Sequence, residues 1–224
     1  MKKRILSILL LCCMVLIMLP TTVLAADGPM DTIPKYDVSI DVYNRTSDIS
    51  IKDSRSYYIY SSVPDKLRDT WAWDKKIFIK GDKAAPHVFI DGVNIKMSPS
   101  SKGPAIELNK KASAYIYFIG KNSSLQGADG RAAIQKNRSE GQLYVLARTG
   151  TTVTCKGGYR AAGIGGSWAI RNIGDSMFNM DMYGHGVNMH FGSQSNPDYW
   201  GGTINATGGE YGAGIGAGSW GHSG

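Results

Sequence analysis

Disulfides are the first thing this chain lacks. Its three cysteines are Cys12, Cys13 and Cys155, and the first two lie in an apolar leader. That leader has export-signal anatomy: Lys2-Lys3-Arg4, an apolar run from Ile5 to Leu19, then Val23-Leu24-Ala25. Cys12 and Cys13 sit inside the run without the small residue that precedes a lipidated cysteine. Cleavage after Ala25 leaves Cys155 alone, which excludes an intramolecular disulfide and rests stability on a packed core. The remaining length supports one domain. An uncleaved anchor is the alternative, with an apolar run at the short end for a spanning helix. The sequence therefore predicts a secreted or extracellular protein, cell-wall associated at most, with no membrane contact after cleavage.

Charge runs are also missing. The formal charge of +7 falls to +4 once the three basic residues of the leader are gone, and the rest is dispersed over Lys75-Lys76, Lys110-Lys111, Arg131, Arg138, Arg160 and Arg171. Nucleic acid is not the expected partner of an exported chain with so diffuse a charge. A weak preference for anionic glycans is the most it supports.

Helical periodicity is nearly absent. Apolar residues recur two apart, as in Val38/Ile40/Val42, Ile49/Ile51, Ile77/Ile79, Val88/Ile90, Val93/Ile95/Met97, Ile106/Leu108 and Leu143/Val145. Such alternation marks short strands with one buried face. Between them lie turn residues, including Asp91-Gly92 and Asp129-Gly130. The stretch from Ser62 to Lys76 breaks the pattern and is the place for a short helix or a protruding loop.

What the chain has in abundance is glycine, 28 residues, and some of it is organised as a repeat. Val153 to Gly165 reads V-T-C-K-G-G-Y-R-A-A-G-I-G, and Ile204 to Gly216 reads I-N-A-T-G-G-E-Y-G-A-G-I-G, six identities in thirteen positions without a gap. Stacked structural units leave such a pattern. The 51-residue offset reads as two turns of about 25 residues each, with Met177 to Met182 and Val187 to Phe191 as strands of the intervening turn. Weaker copies run from Ile95 to Ile106 and from Leu125 to Ile134, the latter two residues shorter. Cys155 aligns with Ala206 at an inward position, where a cysteine acts as a small hydrophobe. A sandwich also uses short strands, but only stacked turns place like residues over like. The expected fold is all-β, a single-stranded parallel β-helix, with an irregular N-terminal cap region and the first strands over 26–86 and repeats over 87–224. The last copy stops at Gly224 without a cap, which predicts that the natural chain continues and that its open end self-associates.

The segments A-A-G-I-G-G (161–166) and G-A-G-I-G-A-G (212–218), each preceded by a Gly-Gly pair, resemble the glycine-rich right-handed parallel β-helix repeats of Gram-positive surface proteins, an architecture of the pectin-lyase type. The resemblance covers about residues 87–224 and implies right-handedness and a carbohydrate-binding or adhesive role without catalysis. Such proteins carry many more copies than this chain.

The wider β-helix group includes pectin-degrading enzymes, so a polysaccharide lyase or hydrolase is the alternative. Gly184-His185-Gly186 is similar to the G-H-G of polygalacturonases, where the histidine assists acids flanking the glycosidic bond. Asp175 and Asp181 are the acids nearby, but the N-T-D, the adjacent Asp pair and the downstream R-I-K of that family are missing. A calcium-assisted lyase needs converging carboxylates, and Asp175, Asp181 and Asp198 do not recur at repeat spacing. His185 and His190, five apart, do not share a strand face. The sequence assigns no catalytic residues, metal or cofactor.

Aromatics give the better signal. Trp168, Trp220, Tyr199 and Trp200, with Trp71 and Trp73 upstream, fall at expected loops or edges, where a flat ring with a polar rim holds an amphipathic ligand such as a sugar. Trp168 and Trp220 each follow a G-I-G segment in a Ser-Trp context. With two turns between them, their indoles stand about 10 Å apart on one side of the coil. The partner expected is a polysaccharide or cell-surface glycan, and a structural stalk that only adds length is the second alternative.

Overall fold

Alternating strands with one apolar face need a second layer to bury it, and a coil of parallel strands supplies that layer from its own other sides. A computed structural model describes residues 34–98, 103–109, 111–137, 140–168, 186–192 and 198–219, within one unit spanning Lys35–Gly224. Its strands are all parallel and stack as a β-solenoid. Two N-terminal turns comprise β1 (Val38–Asp41) with β2 (Ile49–Ile51), then β3 (Ser56–Tyr60) with β4 (Ile77–Lys80). Four turns then carry three strands each: β5 (His87–Asp91), β6 (Asn94–Lys96) and β7 (Ile106–Asn109); β8 (Ala114–Ile119), β9 (Ser123–Gln126) and β10 (Ile134–Lys136); β11 (Leu143–Ala147), β12 (Thr152–Lys156) and β13 (Ile164–Gly165); and β14 (Met189–Phe191), β15 (Thr203–Thr207) and β16 (Ile215–Gly216).

Each full turn visits three sheets. The first is β1-β3-β5-β8-β11-β14, the second β6-β9-β12-β15, and the third β2-β4-β7-β10-β13-β16. Among the described residues coiling is already present at Val38, upstream of the segment with recognisable repeats.

Like residues stack over like. In the third sheet Ile49, Ile77, Ile106, Ile134, Ile164 and Ile215 share one register column, and the first five are at most 2 % exposed. In the second sheet Ile95, Leu125, Cys155 and Ala206 form the inward column. Burial pushes the Cys155 thiol up to about 12, so the cysteine stays protonated and is core filling. One column ends in a charge: Ile79, Leu108 and then Lys136. Lys136 is 1 % exposed, its Nζ donates to the Glu140 carbonyl at 2.9 Å, and burial pulls its pKa down to about 8.

The 51-residue offset is one turn, which corrects the two-turn expectation. Val153 pairs directly with Ile204 and Ile164 with Ile215. Earlier turns are shorter: Val88 pairs with Ile116, Ile116 with Val145, and Ile134 with Ile164. The last turn holds long connections before and after β14, and a coil tolerates these because loops outside it leave strand register untouched. Met189 to Phe191 is thus the first strand of that same turn, while Met177 to Met182 lies outside the described residues. The copy from Leu125 is not shortened either. Leu125 pairs with Cys155 and Ser123 with Val153, so Leu125 to Ile134 matches Cys155 to Ile164 in length.

The stretch from Ser62 to Lys76 leaves the coil as expected, through a single 3₁₀ turn, Asp65–Leu67. It returns at Trp73, which bridges to Ile95, is 3 % exposed and donates its indole N–H to the Arg45 carbonyl at 2.7 Å. Trp73 is therefore a core residue, and Trp71 packs partly buried against the same core.

Candidate functional site

The turn between the second and third sheets repeats in three consecutive passes, and its third position has a left-handed backbone each time: Gly130 (φ 74°), Arg160 (φ 60°) and Tyr211 (φ 64°). Glycine adopts this conformation freely, whereas a residue with a Cβ pays about 1–2 kcal/mol. Two successive turns accept that cost. The side chains so displayed meet: the Arg160 guanidinium carbon lies 5.0 Å from the Tyr159 ring, 5.0 Å from the Trp168 ring and 5.6 Å from the Tyr211 ring. Tyr159 meets Trp168 and Tyr211 edge-on, at 6.3 and 6.4 Å. Arg160 Nε is buried without a hydrogen-bond partner among the described residues, so the aromatic quadrupoles are what this face of the guanidinium receives. Tyr159 is 40 % and Tyr211 68 % exposed. The cluster is thus an exposed aromatic surface fixed around one cation.

Of the four aromatics expected to bind sugar, Trp168 belongs to this cluster. Its backbone N–H donates to the Gly130 carbonyl at 3.0 Å, and the equivalent bond one turn on runs from Ser219 to Arg160 at 2.8 Å. Ser219 therefore holds the register position of Trp168, one residue before Trp220, and register positions in neighbouring turns stand about 4.8 Å apart and not 10 Å. Trp220 itself lies outside the described residues, as do His185, Asp175 and Asp181. Among the described residues no group of three or more His, Cys, Asp or Glu side chains is placed to hold a metal ion.

Tyr199 and Trp200 lie elsewhere, on the outer face of the first sheet. Trp200 leans on Tyr117 at 5.0 Å, and Tyr199 meets Trp200 edge-on at 4.6 Å. This face carries a ladder that sequence reasoning missed: His87, Tyr115, Tyr144 and His190 stack in successive turns at 4.7, 4.5 and 4.4 Å, with ring planes within 15° of parallel. Beside it Phe89 stacks on Tyr117 at 4.9 Å, and Tyr117 Oη lies 3.1 Å from His87 Nδ1. Burial raises the Tyr117 phenol to about 12. Rings stacked this way spend their faces on one another and present edges outward. A sugar needs a free face, so the ladder ties turns together while the Tyr159–Tyr211 cluster keeps ring area open.

Comparison of the chain with protein-family models, curated proteins and solved structures gives no match. The functional reading therefore rests on this geometry.

Proposed function

We propose that the chain is a surface carbohydrate-binding module whose glycan site is the turn cluster of Tyr159, Arg160, Trp168 and Tyr211. The observation that carries the reading is the pair of left-handed non-glycine residues in adjacent turns. Local strain that glycine would relieve, held at half-buried Arg160 and exposed Tyr211 in successive turns, marks placement of the side chains as what is being kept. A ring two-thirds exposed, beside a guanidinium, matches the needs of a sugar: an apolar face for the C–H side of the ring and a donor fork for its hydroxyl or acidic groups. The signal anatomy of residues 1–25 supports an extracellular setting for such a module.

Tyr211→Gly separates binding from stability. Relief of the left-handed strain should hold or raise Tm, while loss of the ring should weaken retention on the preferred polysaccharide at least about tenfold, in line with a stacking contribution above 1.4 kcal/mol. Retention on an immobilised glycan panel, measured beside thermal unfolding, reads both. A variant that melts earlier yet binds as before makes Tyr211 a structural residue and defeats the proposal.

A further inference from the structure

A second site opens on the outer face of the second sheet. There the excursion from Ser62 to Lys76 stands beside the strands and encloses a cleft of about 620 Å³, within the size range of ligand sites. Its wall is fixed to the coil: Arg68 donates to the Gly92 carbonyl at 2.9 Å, and the Arg68 carbonyl accepts from Asn94 Nδ2 at 2.9 Å. Lys121 closes the rim by reaching Asp65 at 2.8 Å. That ammonium holds the Asp65 carboxyl below its ordinary value.

The floor is different in kind. Ser124 and Thr154 are register partners in neighbouring turns, and Thr152 precedes Thr154 on the same face. Among the described residues the hydroxyls of Ser124, Thr152 and Thr154 bond to no protein group, whereas on the outer face of the third sheet Glu107 accepts from both Lys76 and Asn137. The charged lining is balanced, Arg68 and Lys121 against Asp65 and Asp69, so the cleft carries no net charge to attract an ion of either sign.

We infer that this cleft binds a neutral oligosaccharide, lying along the coil axis with its hydroxyls on the free Ser124, Thr152 and Thr154 hydroxyls. The ligand class rests on the glycan reading above; the site is independent of it. Ser124 and Thr154 stand one turn apart, about 4.8 Å along the axis, close to the length of one sugar residue in an extended chain, while Thr152 lies beside Thr154 on the same strand; free hydroxyls in a concave, charge-balanced surface favour a polyol over a charged or apolar ligand.

The test is calorimetric titration of the full secreted chain with cellohexaose, laminarihexaose, mannohexaose and chitohexaose, with hexagalacturonate as the charged comparison. Thr154→Arg fills the cleft from an exposed position and leaves the core untouched. The expected result is saturable binding of a neutral probe that Thr154→Arg weakens at least tenfold and that Lys83→Ser, on an exposed turn away from the cleft lining, leaves unchanged. Binding that Tyr211→Gly abolishes and Thr154→Arg spares overturns the cleft and retains the turn cluster. Loss in Thr154→Arg alone assigns that probe to the cleft, and the retention assay with Tyr211→Gly tests the turn cluster separately. No neutral probe bound, or hexagalacturonate bound in preference, overturns the inference.

Discussion

Ile134→Asp is expected to leave the chain unfolded at 25 °C, while Lys156→Asp unfolds at the wild-type urea midpoint. Ile134 is fully buried and stacked between Ile106 and Ile164. Removing it costs about 1.5–3 kcal/mol of apolar burial, and an unpartnered carboxylate in its place costs several kcal/mol more. Together these rival the whole net stability of an ordinary domain, about 5–15 kcal/mol. Lys156 sits one step out of phase, exposed on the outer face of β12, where a charge of either sign stays in water. Far-ultraviolet circular dichroism against urea separates the two, and equal damage from both would remove the inward register.

Gly158→Ala is expected to cost about 3 kcal/mol, the upper range for overpacking, and Gly150→Ala about 1 kcal/mol. A Cβ at Gly158 would overlap the Ala128 carbonyl of the preceding turn, and one at Gly209 would overlap the Gly158 carbonyl. Backbone on both sides cannot move aside without breaking the bonds from Gly158 N–H to the Arg131 carbonyl and from Gly209 N–H to the Ala161 carbonyl. Gly150 has open space around it and pays only for its left-handed backbone, φ 82°. The second glycine of each pair therefore serves close stacking of turns, while a Cβ at the first, Gly157 or Gly208, would overlap carbonyls of its own turn. Thermal unfolding of the two variants ranks them, and the reverse order would make backbone conformation, not turn spacing, the reason for the pairs.

Inward positions were legible because alternation and burial share a period of two, so Ile95, Ile106, Ile134 and Ile164 declared themselves. Turn length was not. Residues that leave the coil carry no register signal, and 51 residues divide as readily into two equal turns as into one turn with long excursions. The same limit applies to rings: Trp73 looks open in sequence, yet it is buried and bonded to Arg45 far away along the chain, and half-buried Trp200 leans on Tyr117. Trp168 was found through its Ser-Trp context. Its partners Arg160, Tyr159 and Tyr211 were missed, although aligning the three passes shows Gly130 replaced by Arg160 and then Tyr211, and a bulky residue at a glycine turn position is a readable sign of display. The excursion from Ser62 to Lys76 was visible as a break, but the cleft it walls needs the free hydroxyls of two turns that only stacking brings together.

Both the fold and the turn cluster depend on 51 residues making one turn, since that is what sets Tyr211 beside Arg160. Lys156 and Thr207 are register partners on exposed positions of β12 and β15. In a chain carrying Lys156→Cys, Thr207→Cys and Cys155→Ala, neighbouring parallel strands bring the two Cα atoms to about 4.8 Å, inside the window of about 4.4–6.8 Å for a disulfide. Two turns would separate them by about 10 Å and forbid it. Peptide mapping by mass spectrometry after mild oxidation should recover the segments around positions 156 and 207 as one disulfide-linked species. Recovery of both as separately alkylated peptides would contradict the one-turn coil and the site built on it.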